Sequence, residues 1–284
     1  MPLRVLVVAS ETAEQCEARR EYAGAASHES YAETLRQLRP DLKIESVSCV
    51  DGAFAPSVED LEAFDGIFFA GSPIQMHEDT PETRLAAAFM TRVFDSGTPS
   101  FGSCAGLQIA AVAAGGTTGS RSIGLEAAFA RNITKTDEGR IHPLLYGRPL
   151  VWMAPAMHSS VVIHLPLGAT VLARNPGTPV EAAEIRHGRG VFWGVQYHPE
   201  LTLAEIASAL RRQAEDLVKE GLALDQAGVE DHAGRLETLA RDPNRSDLAW
   251  QLGLDQEVTE ATARLRELEN FLHAIETQST RLPL

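Results

Sequence analysis

Two short segments carry residue types that could do chemistry together. One is Gly102-Ser103-Cys104-Ala105-Gly106, the other Gln196-Tyr197-His198-Pro199-Glu200. They supply a thiol, an imidazole, and a carboxylate two residues past the imidazole. That is the inventory of a nucleophilic site in which a base activates the thiol and a third group orients the base. Alone, Gly-x-Cys-x-Gly also fits a buried core cysteine, and a histidine at a strand end is commonly just hydrogen-bonded. The coincidence of both segments, in this order, gives them weight.

The flanking residues must position these groups. Thr98-Pro99-Ser100-Phe101 leads into Gly102, and residues 107–114 are apolar with good helix formers. This predicts strand, sharp turn, helix, with Cys104 at the turn. Glycine suits a turn where bulky neighbours would collide or φ must be positive. The positive end of the helix macrodipole favours negative charge on Cys104. The next backbone N–H, that of Ala105, is placed to hold an oxyanion. Residues 190–197 read as a buried strand that Pro199 stops, leaving His198 and Glu200 at its tip. Helix formers follow from 203 to 218.

The rest of the chain alternates strand and helix. Strands are expected over 3–9, 44–50 and 66–70. Residues 22–39 read as mostly helical, with Tyr31, Leu35 and Leu38 on one face and Pro40 beyond the end. Thr80 and Pro81 open another helix as N-cap and first helical residue, turning Leu85, Phe89 and Val93 to the core. The pattern predicts an α/β fold with a doubly wound, mostly parallel sheet. Sites in such sheets lie beyond the carboxyl ends of strands. Ser72, Cys104 and His198 all fall there.

From 123 to 196 short apolar runs alternate with Gly, Pro and Asn, giving strands near 150–153, 161–165, 169–173, 180–185 and 190–195 in a mixed or antiparallel region. Residues 211–224, 229–239 and 258–275 read as helices, the last with Val258, Ala261, Leu265, Leu268, Leu272 and Ile275 at helical spacing. We divide the chain into a catalytic domain, 1–215, and a helical C-terminal extension, 216–284. These helices either pack on the α/β body or form a docking surface for a synthase partner or a homo-oligomer interface.

Bulk properties narrow the classes. The chain has 284 residues, 44% of them hydrophobic, enough for a packed core. A net charge of −14 argues against nucleic-acid and membrane-surface roles. No apolar run approaches the roughly 18–20 residues of a membrane span. The run at 5–9 is too short for a signal peptide. Cys16, Cys49 and Cys104 are few and scattered, which suits a reducing compartment, so a cytoplasmic location is expected. His142, His158, His164 and His187 lack metal-ligand spacing, and neither metal nor cofactor is expected.

The two segments resemble those of class I (triad-type) glutamine amidotransferases, the family that includes the glutaminase parts of GMP synthase and anthranilate synthase. The resemblance covers roughly residues 1–215. It implies a flavodoxin-like fold, with Cys104 as nucleophile, His198 as general base and Glu200 as orienting carboxylate. It implies that Gln108, His158 and Ser159 help hold the substrate. Ala70-Gly71-Ser72-Pro73 is similar to the family's Gly-Gly-Pro loop, so Gly71 or Ser72 would give the second oxyanion N–H. Ser72 stands where the family has its second glycine, and Ser160 lies where GMP synthases carry an aspartate.

The implied reaction is hydrolysis of the γ-amide of glutamine, or of another γ-glutamyl amide, through a thioester. The chain has no phosphate-binding loop of its own. Three roles therefore stand: a glutaminase supplying ammonia to a separate synthase, a stand-alone γ-glutamyl-amide hydrolase in amine catabolism, or a non-catalytic regulatory protein with a residual triad.

Overall fold

The computed structural model describes residues 2–52 and 55–279. Its first half is a series of strands and helices: β1 (Arg4–Ala9), α1 (Ala13–Ala23), α2 (Ser27–Leu38), β2 (Lys43–Ser48), α3 (Val58–Glu62), β3 (Gly66–Phe69), α4 (Pro81–Ser96), β4 (Ser100–Ser103) and α5 (Ala105–Ala113). The middle is mostly strand: β5 (Thr117–Ser120), β6 (Phe129–Lys135), α6 (Asp137–Ile141), β7 (Val151–Pro155), β8 (Ser160–His164), β9 (Ala169–Asn175), β10 (Thr178–His187) and β11 (Gly190–Val195). Helices α7 (Leu203–Arg212), α8 (Ala214–Lys219), α9 (Gln226–Arg241), α10 (Ser246–Leu252), α11 (Gln256–Thr259), α12 (Ala261–Arg264) and α13 (Arg266–Ser279) follow.

Nine strands form one sheet in the order β2-β1-β3-β4-β11-β10-β9-β6-β7. From β2 to β11 neighbouring strands are parallel, and from β11 to β7 they are antiparallel. Alternation along each strand feeds two cores. Val5 and Val7 of β1 face Tyr31 and Leu35 of α2 and Leu268, Phe271 and Ile275 of α13. Leu6 and Val8 face the other way, toward Leu61, Phe89, Val93 and Leu107. The last helix thus belongs to the same core as the central sheet; the Phe271 ring meets Phe68 edge-on at 5.2 Å. Helices α7, α9 and α10 close a third cluster around Ile206, Ala233 and Leu236. Among the described residues no helix is long and apolar enough to cross a membrane.

Several elements differ from expectation. The helix expected over 22–39 is two helices, split at Gly24, whose φ of 82° ends α1. Helix α1 itself was not anticipated, because Cys16 is its one buried residue and it shows no apolar period. Its capping box, Thr12 with Gln15, was the available signal. Helix α4 begins as expected at Pro81 with Thr80 as cap. Phe89 and Val93 are buried, but Leu85 is exposed. Steps of four residues drift by about 40° each on a 3.6-residue helix, which carries Leu85 off the buried face. The expected helix over 258–275 is three pieces, interrupted at Glu260, where the backbone is extended, and again at Leu265.

Candidate active site

Cys104 sits between β4 and α5 with φ 51° and ψ −101°. Side chains avoid that conformation, so the neighbours must enforce it. The Cys104 N–H donates to Val195 O at 2.8 Å, and its carbonyl accepts from Gln108 N at 3.2 Å. Gly102 and Gly106 let the strand and the helix approach. A Cβ on Gly102 would meet Gly106 Cα at 2.9 Å, and one on Gly106 would meet Phe69 Cβ at 2.8 Å. Ala105 is the first residue of α5, so its N–H belongs to the unpaired first turn.

The tip of β11 brings the second segment alongside. His198 Nδ1 and Glu200 Oε1 are 2.8 Å apart, and both residues are buried. Burial disfavours a charged His198, but the Glu200 carboxylate and the Cys104 sulfur outweigh it and push the imidazole up to about 10. Cys104 and His198 both line the same cavity. Gly71 lies against that ring: a Cβ there would collide with His198 Cε1. The sequence segments therefore meet, with the thiol, imidazole and carboxylate in series.

The remaining expected residues converge on the same cavity, which has a volume of about 330 Å³ and is lined by Gly71, Ser72, Cys104, Gln108, His158 and Ser159, among others. Gln108 is fixed from both ends: its Nε2 donates to Ser160 O at 3.0 Å and its Oε1 accepts from Ser160 Oγ at 3.0 Å. His158 is buried, with Nδ1 3.2 Å from Ser160 O and Nε2 3.0 Å from Glu126. Burial pushes its imidazole down, against the pull of Glu126. The Ser72 hydroxyl oxygen accepts from Ser10 Oγ at 2.8 Å.

Other residues of the site gave no sequence signal. Gln196 Nε2 lies 3.5 Å from Cys104 Sγ. Glu126, which steadies His158, is itself held by Arg121, Asn175 and Thr178. Glu181 on β10 is fully buried, and neither of its oxygens makes an aligned hydrogen bond among the described residues. Burial, with Glu126 next, raises its carboxyl well above the usual range. Glu11, Cys16 and His28 place ligand atoms within 4.8 Å of one another. One Glu11 oxygen already accepts from Ser27 N–H at 2.9 Å.

The family model described as Glutamine amidotransferase class-I matches residues 23–215. The chain belongs to the class I glutamine amidotransferase family. Members of this family are hydrolytic enzymes with a cysteine nucleophile. A gamma-glutamyl-L-1-hydroxyisopropylamide hydrolase from a Pseudomonas species is 35% identical over 222 residues, 77% of this chain and 75% of that protein. The GMP synthase (glutamine-hydrolyzing) of Mycolicibacterium paratuberculosis is 36% identical over 151 residues, 51% of this chain but only 26% of the synthase. This amidotransferase therefore spans about a quarter of the length of such synthases. Its fold matches that of a glutamine amidotransferase from Thermotoga maritima, with a TM-score of 0.63 over 97% of this chain and 98% of the other at 14% identity.

Proposed function

We propose that this amidotransferase hydrolyses γ-glutamyl amides with Cys104 as nucleophile, and that its substrate is a substituted amide. The observation that carries the chemistry is the series Cys104, His198, Glu200 on a strained turn, with a 2.8 Å imidazole–carboxylate contact. The Cys104 sulfur attacks the γ-carbonyl carbon. The N–H groups of Ala105 and of Gly71 or Ser72 stabilise the oxyanion. His198 hands its proton to the amide nitrogen as the C–N bond breaks, leaving a γ-glutamyl thioester and a free amine. Water then gives a proton to His198 and attacks the thioester, releasing glutamate and the thiolate. Glu200 fixes the imidazole and offsets its charge. Gln108, His158 and Ser159 shape the pocket for the glutamyl group.

Two observations favour a substituted amide. The match to the γ-glutamyl amide hydrolase takes in about three quarters of both chains. The cavity also continues past Cys104 to α1 and α7, leaving room beyond the reacting nitrogen. A second reading, ammonia supply to a separate synthase, is favoured by the likeness to GMP synthases. The test is steady-state release of amine from γ-glutamyl alkylamides beside release of ammonia from glutamine, with Cys104→Ala as control. Faster turnover of substituted amides supports the first role. Glutamine turnover that rises only when a synthase is added supports the second. Equal rates for Cys104→Ala and the native protein would refute the mechanism.

A further inference from the structure

Beyond the triad the cavity reaches α1 and the junction of α7 and α8, where Gln15, Arg19, Tyr22, Arg212 and Gln213 line it. Gln15, Ala18, Arg19 and Tyr22 recur at helical spacing, so α1 turns one continuous stripe to this space. Core packing does not explain the stripe, since Cys16 is the buried residue of α1. Arg19 is partly buried, and its Nε has no hydrogen-bond partner among the described residues. The Arg212 guanidinium lies over the Tyr22 ring, 5.0 Å from its centroid. Among the described residues, no carboxylate forms an ion pair with either guanidinium. Arg212 and Asp216, which also lines this arm, are both exposed, and one Glu11 oxygen accepts from Ser27 N–H.

This cationic arm opens on one particular side of the nucleophile. Gly71 backs the His198 ring. Its carbonyl accepts from Ser27 Oγ at 2.6 Å, and Ser27 N–H donates to Glu11 at 2.9 Å. Arg19 and Arg212 exert their charge on Glu11. The arm is thus continuous with His198, which protonates the departing nitrogen. Gln108 and Ser160 reach Cys104 by a different route, through Gln196, whose Oε1 accepts from Gln108 Nε2 at 3.3 Å and whose Nε2 lies 3.5 Å from Cys104 Sγ. We propose that Arg19 and Arg212 form a carboxylate-binding subsite for the amine half of the substrate, selecting γ-glutamyl amides whose amine carries a carboxylate. Guanidinium groups suit this task because their planar fork matches a carboxylate. The inference rests on the γ-glutamyl-amide reading above.

The test compares γ-glutamyl-β-alanine, γ-glutamyl-propylamide and glutamine as substrates for the full chain and for Arg19→Met and Arg212→Met. The native enzyme should prefer the β-alanine conjugate to the propylamide by roughly ten- to a hundredfold in kcat/KM, the size of a charge-assisted hydrogen bond. Each substitution should pull that ratio toward one, mainly through KM. Absence of a preference in the native enzyme overturns the proposal. So does an equal loss on all three substrates, which would assign the arginines to the glutamyl α-carboxylate or to the fold. If no γ-glutamyl amide is turned over, the hydrolase reading itself fails. Calorimetric binding of the same compounds to the Cys104→Ala protein then reads the carboxylate preference independently: tighter binding of the β-alanine conjugate supports the subsite, and equal binding overturns it.

Discussion

Ser103 donates a 2.9 Å hydrogen bond to Glu200 Oε2, so the residue just before Cys104 holds the carboxylate that contacts the His198 imidazole. The other oxygen, Oε1, is engaged by His198 at 2.8 Å. Glu200 therefore ties the end of β4 to the segment after β11. Ser103→Ala would leave Glu200 one partner short. A hydrogen bond to a charged acceptor contributes roughly 1.5–3 kcal/mol. We expect kcat to fall about tenfold and the urea midpoint to drop, with the fold retained. An unchanged kcat would mean that His198 alone is enough to orient the carboxylate.

The Cys104 backbone, at φ 51°, holds a side chain where glycine would be at ease. Such conformations cost of order 1–3 kcal/mol and persist where function requires them. Cys104→Gly should therefore be more stable than Cys104→Ala by about 1 kcal/mol or more, while both lose turnover. Urea denaturation of the two variants side by side measures this. Equal midpoints would mean that no strain is stored at the turn.

Cys104, His198 and Glu200 were legible because each ends a strand whose period and Gly or Pro punctuation can be read locally. In a parallel α/β sheet, strand ends meet at one edge, so placing each residue at a tip was enough to bring them together. Arg19 and Glu126 were not legible, because their roles depend on remote packing. Glu126 gains its meaning from Arg121 of its own loop and from Asn175 and Thr178, which reach it from the remote turn between β9 and β10. Arg19 lies on a helix without an apolar stripe, so periodicity had nothing to detect. The final helix was visible as an amphipathic pattern, but not the face it would cover. The contacts of Phe271 with Phe68, Phe101 and Trp193 put it on the central sheet.

The His198 imidazole should set the alkaline side of the pH profile. Burial works against its cation, yet Glu200 and the Cys104 sulfur push it up to about 10. A group raised above its ordinary value near 6.5 stabilises the fold fully below that pH and loses this contribution as pH rises through about 10. In the proposed mechanism the proton His198 gives to the leaving nitrogen is lost over the same interval. Glu200→Gln removes the largest cause that raises His198. The alkaline limb of kcat/KM should then move toward neutrality, and stability should decline at lower pH. Rate profiles and urea midpoints of both proteins measure this. A limb at the same pH in both would show that Glu200 does not hold the His198 imidazole up.

The C-terminal helices are bound to the catalytic sheet through a buried ionic cluster, and that link should be measurable as stability. Arg148 donates from Nε and Nη2 to the two Glu267 oxygens, each at 2.7 Å, and from Nη1 to Glu257 at 2.7 Å. The Tyr197 hydroxyl also donates to Glu267 at 2.7 Å, next in sequence to His198. Arg148 and Glu267 are both buried, so Glu267→Ala would take two charge-assisted hydrogen bonds from a guanidinium held away from water and leave it Glu257 as its remaining carboxylate partner. Breaking such a pair typically costs about 3–5 kcal/mol, whereas replacing both members with apolar residues of similar volume is often neutral. We therefore expect Glu267→Ala to lower the urea midpoint sharply, and Arg148→Met combined with Glu267→Leu to recover most of the loss. A double variant as unstable as the single one would show that the Tyr197 and Glu257 contacts, rather than the stranded charge, dominate.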